Sequence, residues 1–507
     1  MILDKAALLI FKSRLKSIEH FEKFPDLVQS EQFNKLIKAA RNTEWGKTYD
    51  YASIRSYEDF ASRVPIQNYD NIKPYVERVI KGENNILWPE KIKWMAKSSG
   101  TTDKSKFIPV SESSLRECHY KGGKDTVATY LNNRTDSRLF SGKALVLGGS
   151  CKPAPYNKHV LTGDLSAVLI RNINPIANLF RVPSKEIILM DEWEAKLEAI
   201  CKSVINENVT NLSGVPSWFM VLIKKMLERT GKKHLTEIWP NLEVFFHGGV
   251  SFTPYKEQYQ LLIPSERMRY METYNASEGF FAIQNDLSDP SLLLLLDYSI
   301  FYEFIPLEEI DSDNPKIYRL HDIELNKNYA LVMTSNNGLW RYIVGDTVMF
   351  KNKKPYKIVI TGRTRHFINA FGEELMVDNA DKALSKACLE TNSKIKEYTV
   401  APVYMSSEQK GKHQWLIEFE ETPASIDEFT AVLDKALQNL NSDYEAKRYK
   451  SMTLDRPVVT IARKNLFYDW LKQKGKLGGQ HKVPRLSNNQ EYMDSLLEMN
   501  DGSAAKA

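Results

Sequence analysis

The 507-residue sequence is short of most features that mark a protein for a special environment. Cysteine is scarce: Cys118, Cys151, Cys201 and Cys388 lie at least 33 residues apart, and no C-x-x-C pair occurs. That spacing excludes a zinc knuckle and a dense disulfide framework, and it points to a reducing, cytoplasmic setting. Long apolar runs are missing too. The longest conspicuous block, Leu292–Leu296, has five residues before Asp297 ends it, against the roughly 20 that a membrane-crossing helix needs. Ala6–Phe11 is flanked by Asp4, Lys5, Lys12 and Arg14 and has no small-residue cleavage site, so no leader peptide is expected. Neither sign of charge dominates. Lys and Arg number 69 against 64 Asp and Glu, a net +5, which supplies no field for nucleic acid or an anionic membrane. Glycine (23) and proline (21) are sparse, which excludes collagen-like and low-complexity chains.

What is present is ordinary globular material, 42% hydrophobic and 26% charged. The length predicts about two to four domains, or a large one with a small one. Leu8, Phe11, Leu15 and Ile18 recur at helical steps, so the first 40 residues read as helix packed on the main body. From about residue 92 to 360, strand-like runs alternate with helical stretches. Lys143–Gly148 and Leu242–Phe246 each end in a Gly-Gly pair, Glu192–Val204 has helical spacing, and Tyr329–Met333 and Lys357–Ile360 read as strands. This mixture predicts an α/β domain with mixed sheets. After Gly362 the pattern changes to α+β, with strands near Tyr398–Tyr404, Gln414–Phe419 and Val458–Ile461 and helices over Ile426–Leu440 and near Phe467–Lys474. Trp415, Ile417 and Phe419 alternate with Leu416, Glu418 and Glu420, the period of a strand with one face more buried than the other. The expected division is a large domain over residues 1–365 and a small one over 366–507.

The strongest local signal runs from Ser98 to Lys106, Ser-Ser-Gly-Thr-Thr-Asp-Lys-Ser-Lys. Hydroxyls that donate to phosphate oxygens, a glycine that admits close backbone approach, and lysines are concentrated there. The spacing is not that of a Walker A loop. Three further segments bear on it. Thr273–Glu278 places an aromatic ring, a hydroxyl and a carboxylate within a few residues, a set able to stack a purine, touch a phosphate and hold Mg²⁺. Trp340–Asp346 ends in a Gly-Asp turn whose carboxylate suits two ribose hydroxyls. Thr361-Gly362-Arg363 stands at the junction of the two parts.

In this order the segments resemble those of the acyl-adenylate-forming superfamily, and more closely those of the Gretchen Hagen family of acyl acid–amido synthetases. Ser98–Thr102 with Lys106 and Pro109 resembles its first motif, Tyr274–Glu278 its second and Trp340–Asp346 its third. Leu440-Asn441, Tyr444, Arg448 and Gly479–Arg485 resemble its closing segments, so the likeness spans nearly the whole chain.

The resemblance implies roles. Ser98, Ser99, Gly100, Thr101 and Thr102 would hold the β- and γ-phosphates of ATP, with Lys106 as a nearby charge. Tyr274 would stack on adenine, Gly248 and Gly249 would line its pocket, Ser277 would approach the α-phosphate, and Glu278 would hold Mg²⁺. Asp346 would bind the ribose, Arg363 would reach ribose or phosphate, and Trp218 and Phe219 would wall the acyl site. Lys482 would be carried in by the small domain to neutralise charge at the α-phosphate. Asp103 departs from the superfamily, which usually has glycine there. The implied reaction is adenylation of a carboxylic acid by MgATP, then transfer of the acyl group to an amine, an amino acid in this family. An acyl-CoA ligase with a thiol acceptor and a catalytically silent nucleotide binder are the competing readings.

Overall fold

The computed structural model describes residues 2–98, 106–154, 157–249, 252–364, 367–368, 370, 373, 375–403, 411–441, 444–445, 448, 454–475, 483–487 and 489–501. The N-terminal stretch forms two helices, Ile2–Lys23 and Pro25–Ala40, broken where Phe24 precedes Pro25. Ile18, Phe21, Phe33 and Leu36 bury this pair against the main core. Arg14 fastens it further, reaching Asp125 at 2.7 Å and Asp297 at 3.1 Å.

The centre is an eleven-stranded mixed sheet. Its first part is antiparallel, in the order Ile300–Pro306, Asn328–Ser335, Leu339–Lys353, Tyr356–Arg363, Leu292–Leu294, Phe280–Ile283. The order continues through Arg269–Asn275, Val244–Gly248, Val209–Gly214, Lys143–Val146 and Arg181–Val182, which run parallel to one another. Parallel strands buried on both faces read as continuous apolar runs, as Val-Phe-Phe at 244–246 does. Helices Trp193–Val204 and Pro216–Thr230 cover one face through Ile200, Phe219 and Ile223, and Tyr130 of helix Tyr120–Asn133 meets Phe246 on the other. The carboxyl ends of parallel strands finish at one edge, where open α/β sheets bind ligands.

A second sheet has four strands, two of which flank the Ser/Thr-rich segment in sequence. Trp94–Ser98 and Lys106–Val110 pair antiparallel, with Ser98 opposite Lys106, so residues 99–105 connect the two strands.

The C-terminal part carries its own three-stranded sheet, Lys394–Val403, Lys412–Glu421 and Val458–Ile461. Helices Val377–Glu390 and Ile426–Leu440 share a core with Trp415 and Ile417. Leu466–Gln473 and Glu491–Asp501 share another with Leu416 and Ala401. The one-sided alternation expected over 415–420 is therefore not what forms. Leu416 is as buried as Trp415, and Glu418 is buried as well, because helices cover both faces of this sheet. The whole is a mixed α/β fold, large at the N-terminal side and smaller at the C-terminal side. Among the described residues no helix is long and apolar enough to cross a membrane.

Candidate active site

Two adjacent strands of the sheet build the first wall. Leu339–Lys353 and Tyr356–Arg363 pair with Asp346 opposite Arg363, and Arg363 Nε lies 3.0 Å from Asp346 Oδ1. The other oxygen, Asp346 Oδ2, accepts a hydrogen bond of 2.8 Å from the Tyr274 hydroxyl, although 72 residues separate the two in sequence. The Asp346 charge raises the Arg363 pKa further, so this guanidinium stays protonated. Burial, then the Asp346 charge, pushes the Tyr274 phenol well above its usual range. Tyr274 packs edge-tilted on Phe281 at 4.8 Å, which fixes its ring at the end of Arg269–Asn275.

Glu278 follows the strand on a short turn. Asn337 Nδ2 donates to its carbonyl at 3.1 Å and fixes the backbone. Glu278 is 5% exposed, and its carboxylate takes a backbone hydrogen bond from its own residue but forms no close ion pair among the described residues. Burial pushes this carboxyl up to about 7, partly offset by the Lys106 charge. A buried carboxylate with no close ion pair is costly unless a ligand compensates it. Ser277 beside it is also buried.

Gly248 and Gly249 form the end of the neighbouring strand. A Cβ on Gly248 would stand 2.3 Å from the Thr273 carbonyl, and Gly249 has φ +81°, so side chains are excluded by close approach at one position and by backbone conformation at the next. Lys106, Trp218, Gly248, Gly249, Tyr274, Ser277, Glu278, Asp346 and Arg363 all line one cavity of about 2200 Å³, which Val483 and Arg485 of the C-terminal part also line.

Not every expected residue stands in that wall. Phe219 is fully buried, packed edge-on to Phe245 at 5.0 Å, and belongs to the core behind the cavity. Only Trp218 of the pair lines it, since neighbours on a helix point about 100° apart. Ser98 ends its strand, while Ser99, Gly100, Thr101, Thr102 and Lys482 lie outside the described residues. The sequence reading missed two lining residues, His247 and Glu272, which stand just before Gly248 and Tyr274. Their place next to motif residues on two parallel strands was the signal that pointed to them.

A mixed sheet with a cavity at its parallel edge, lined on one side by a small C-terminal part, is the fold of solved acyl-activating ligase structures. The solved 2-hydroxyisobutyryl-CoA ligase in its postadenylation state shares this fold, with a TM-score of 0.61, 12% identity, and 94% of this chain and 91% of that chain covered. The GH3.15 acyl acid amido synthetase structure is more similar, at TM-score 0.79, 16% identity, and 96% and 95% coverage.

The chain belongs to the GH3 family. The GH3 family N-terminal domain matches residues 14–268, the central domain 293–363 and the C-terminal domain 378–491. Curated relatives include an indole-3-acetic acid-amido synthetase of Arabidopsis thaliana, 22% identical over 95% of this chain and 93% of that protein. A 4-substituted benzoates-glutamate ligase of the same plant is 24% identical over 84% and 87%. A jasmonoyl-L-amino acid synthetase of Nicotiana attenuata is 23% identical over 69% and 71%.

Proposed function

We propose that this protein is an ATP-dependent acyl acid–amido synthetase: it adenylates a carboxylic acid and passes the acyl group to an amino acid. The observation that carries the reading is the chain Tyr274–Asp346–Arg363 beside the buried Glu278, at the edge of the sheet where parallel strands end. Ribose hydroxyls bind Asp346 in place of part of its present bonding, and the Tyr274 ring flanks the purine. Residues 98–102 and Lys106 take the phosphates.

Mg²⁺ fits this site. It is commonly held by one or two carboxylates together with substrate phosphates rather than by an all-protein cage. Glu278 is the carboxylate here, and among the described residues no cluster of three or more His, Cys, Asp or Glu competes for the role. The ion supplies charge neutralisation on the triphosphate.

The acid's carboxylate then attacks the α-phosphorus in line, and pyrophosphate leaves. Ser277 and Arg363 orient the phosphate, and Lys482 neutralises its developing charge. The boundary near residue 365 is the hinge about which residues 366–507 turn between the half-reactions.

Acid-dependent ATP–pyrophosphate exchange over a panel of aryl, fatty and indole acids tests this, followed by addition of amino acids or CoA with mass detection of product. Exchange with at least one acid and an amide product are expected. No exchange across the panel, or thioester without amide, would overturn the reading.

A further inference from the structure

Glu272 and His247 lie opposite each other in the register of Arg269–Asn275 and Val244–Gly248. On parallel neighbours such partners leave the sheet on the same face, and both line the cavity. His247 is 3% exposed and stacked on Phe252 at 4.2 Å. Its Nδ1 is enclosed without a hydrogen-bond partner, and burial lowers its pKa to about 3, so the ring stays neutral. The Glu272 backbone N–H donates to Gln284 Oε1 at 3.1 Å, but its carboxylate makes no hydrogen bond or ion pair among the described residues. Burial alone pushes that carboxyl up to about 7.

Ionisable groups that also line the cavity include Tyr274, Tyr255, Arg485, Asp381 and Glu397. Arg485 is already held by Asp381 at 2.6 Å and by the Tyr255 hydroxyl at 3.3 Å, with Glu397 at 3.8 Å, so it is not the counter-ion of Glu272. Glu272 is thus a carboxylate facing the cavity that the fold does not use for its own bonding. It stands two residues, roughly 6.6 Å along the strand, before Tyr274.

We infer that Glu272 is the proton acceptor of the amide-forming half-reaction, taking the proton from the acceptor's ammonium group beside the acyl adenylate. This rests on the amido-synthetase reading above. An amino acid arrives with its amine protonated and therefore not nucleophilic. The ammonium N–H bond breaks, and its proton passes to the Glu272 carboxylate. The freed lone pair forms the N–C bond to the acyl carbon, and the C–O bond to phosphate breaks with its electron pair leaving on AMP. The second proton lost from nitrogen goes to the departing phosphate, and Glu272 returns its own to solvent. A base works best when its affinity for the proton is near the working pH, and partial burial in the cavity wall moves the Glu272 carboxyl toward that range.

The test uses the full chain, Glu272→Gln and Glu272→Asp, the acid that gives the fastest exchange, and two acceptors. One is the preferred amino acid. The other is hydroxylamine, whose nitrogen is already unprotonated at neutral pH. Glu272→Gln is expected to lower amino acid conjugation about 100-fold relative to exchange. Hydroxamate formation should keep pace with exchange, and Glu272→Asp should fall between Gln and the unaltered protein. Equal loss with both acceptors, no loss with either, or loss of exchange itself through a raised KM for the acid would overturn the assignment. If Glu272→Gln does not fold, the same two-acceptor contrast in Glu272→Asp decides. Absence of exchange in the unaltered protein would instead sink the reading on which this rests.

Discussion

One strand, Leu339–Lys353, contributes a residue to each of two ion pairs five positions apart, and the pairs are built for different ends. Arg341 meets Glu303 at 2.8 Å with side chains 5% and 0% exposed. Its remaining donors go to the Ala61 and Val64 carbonyls, so the guanidinium is fully used inside the fold. Asp346 meets Arg363 at 3.0 Å with 9% and 41% exposure, and Arg363 stands open to the cavity. The first pair joins the N-terminal segment to the sheet. The second keeps its charge where a ligand reaches it. The same Trp-Arg-Tyr-Ile-Val-Gly-Asp run therefore serves architecture at one end and the site at the other.

Four substitutions or titrations sharpen that contrast, beginning with the largest effect. Arg341→Met strands the Glu303 carboxylate and should cost about 3–5 kcal/mol of stability in urea unfolding. A loss under about 1 kcal/mol would show that the buried pair is not an anchor.

Glu278 comes next. Its folded-state pKa is raised from 4.5 to about 7, so the folded protein binds this proton more tightly than the unfolded chain does. The resulting stability is fully present below about pH 4.5 and is lost as pH rises through about 7. The Glu278→Gln protein should be on the order of 1–3 kcal/mol more stable than the unaltered one at pH 8 and level with it near pH 4.5. Identical pH profiles of the two would contradict the burial cost.

Asp346→Asn should leave the unfolding midpoint nearly unchanged yet weaken ATP binding about tenfold, roughly 1.4 kcal/mol by titration calorimetry. A large stability loss with unchanged affinity would reverse the roles of the two pairs. The smallest effect belongs to Tyr274→Phe, which deletes one hydrogen bond to Asp346. It should cost about 1 kcal/mol in unfolding while the ring remains to flank the nucleotide.

Where the sequence carries strong periodicity, it announces its structure. Ile426–Leu440 and Val458–Ile461 form over the same residues that the pattern marks, because an amphipathic helix and a short β-branched run leave little choice. The motif residues Tyr274, Asp346, Arg363 and Glu278 do converge on one cavity. Three things escape a one-dimensional reading. Leu416 and Glu418 are buried by helices on a face that their period marks as the less buried one, a tertiary effect. Phe219 is carried into the core by the rotation of its helix. Glu272 belongs to no motif, and its place beside His247 comes from the pairing of two strands.

Polar ties cross the seam between the two parts, beside the packing of Tyr468 on the core of the larger one. The Tyr255 hydroxyl meets Arg485 at 3.3 Å, Gln258 reaches the Ile395 carbonyl at 3.3 Å, and the more exposed Lys472 meets Glu194 at 3.3 Å. The exposed Lys472–Glu194 pair contributes roughly 0–1 kcal/mol, whereas the Gln258 bond is buried and harder to replace by water. Arg485, by contrast, holds a tight bond to Asp381 on its own side of the seam. Any turn of the C-terminal part would therefore carry the Arg485–Asp381 pair with it as one piece, while the cavity would lose Arg485 from its wall.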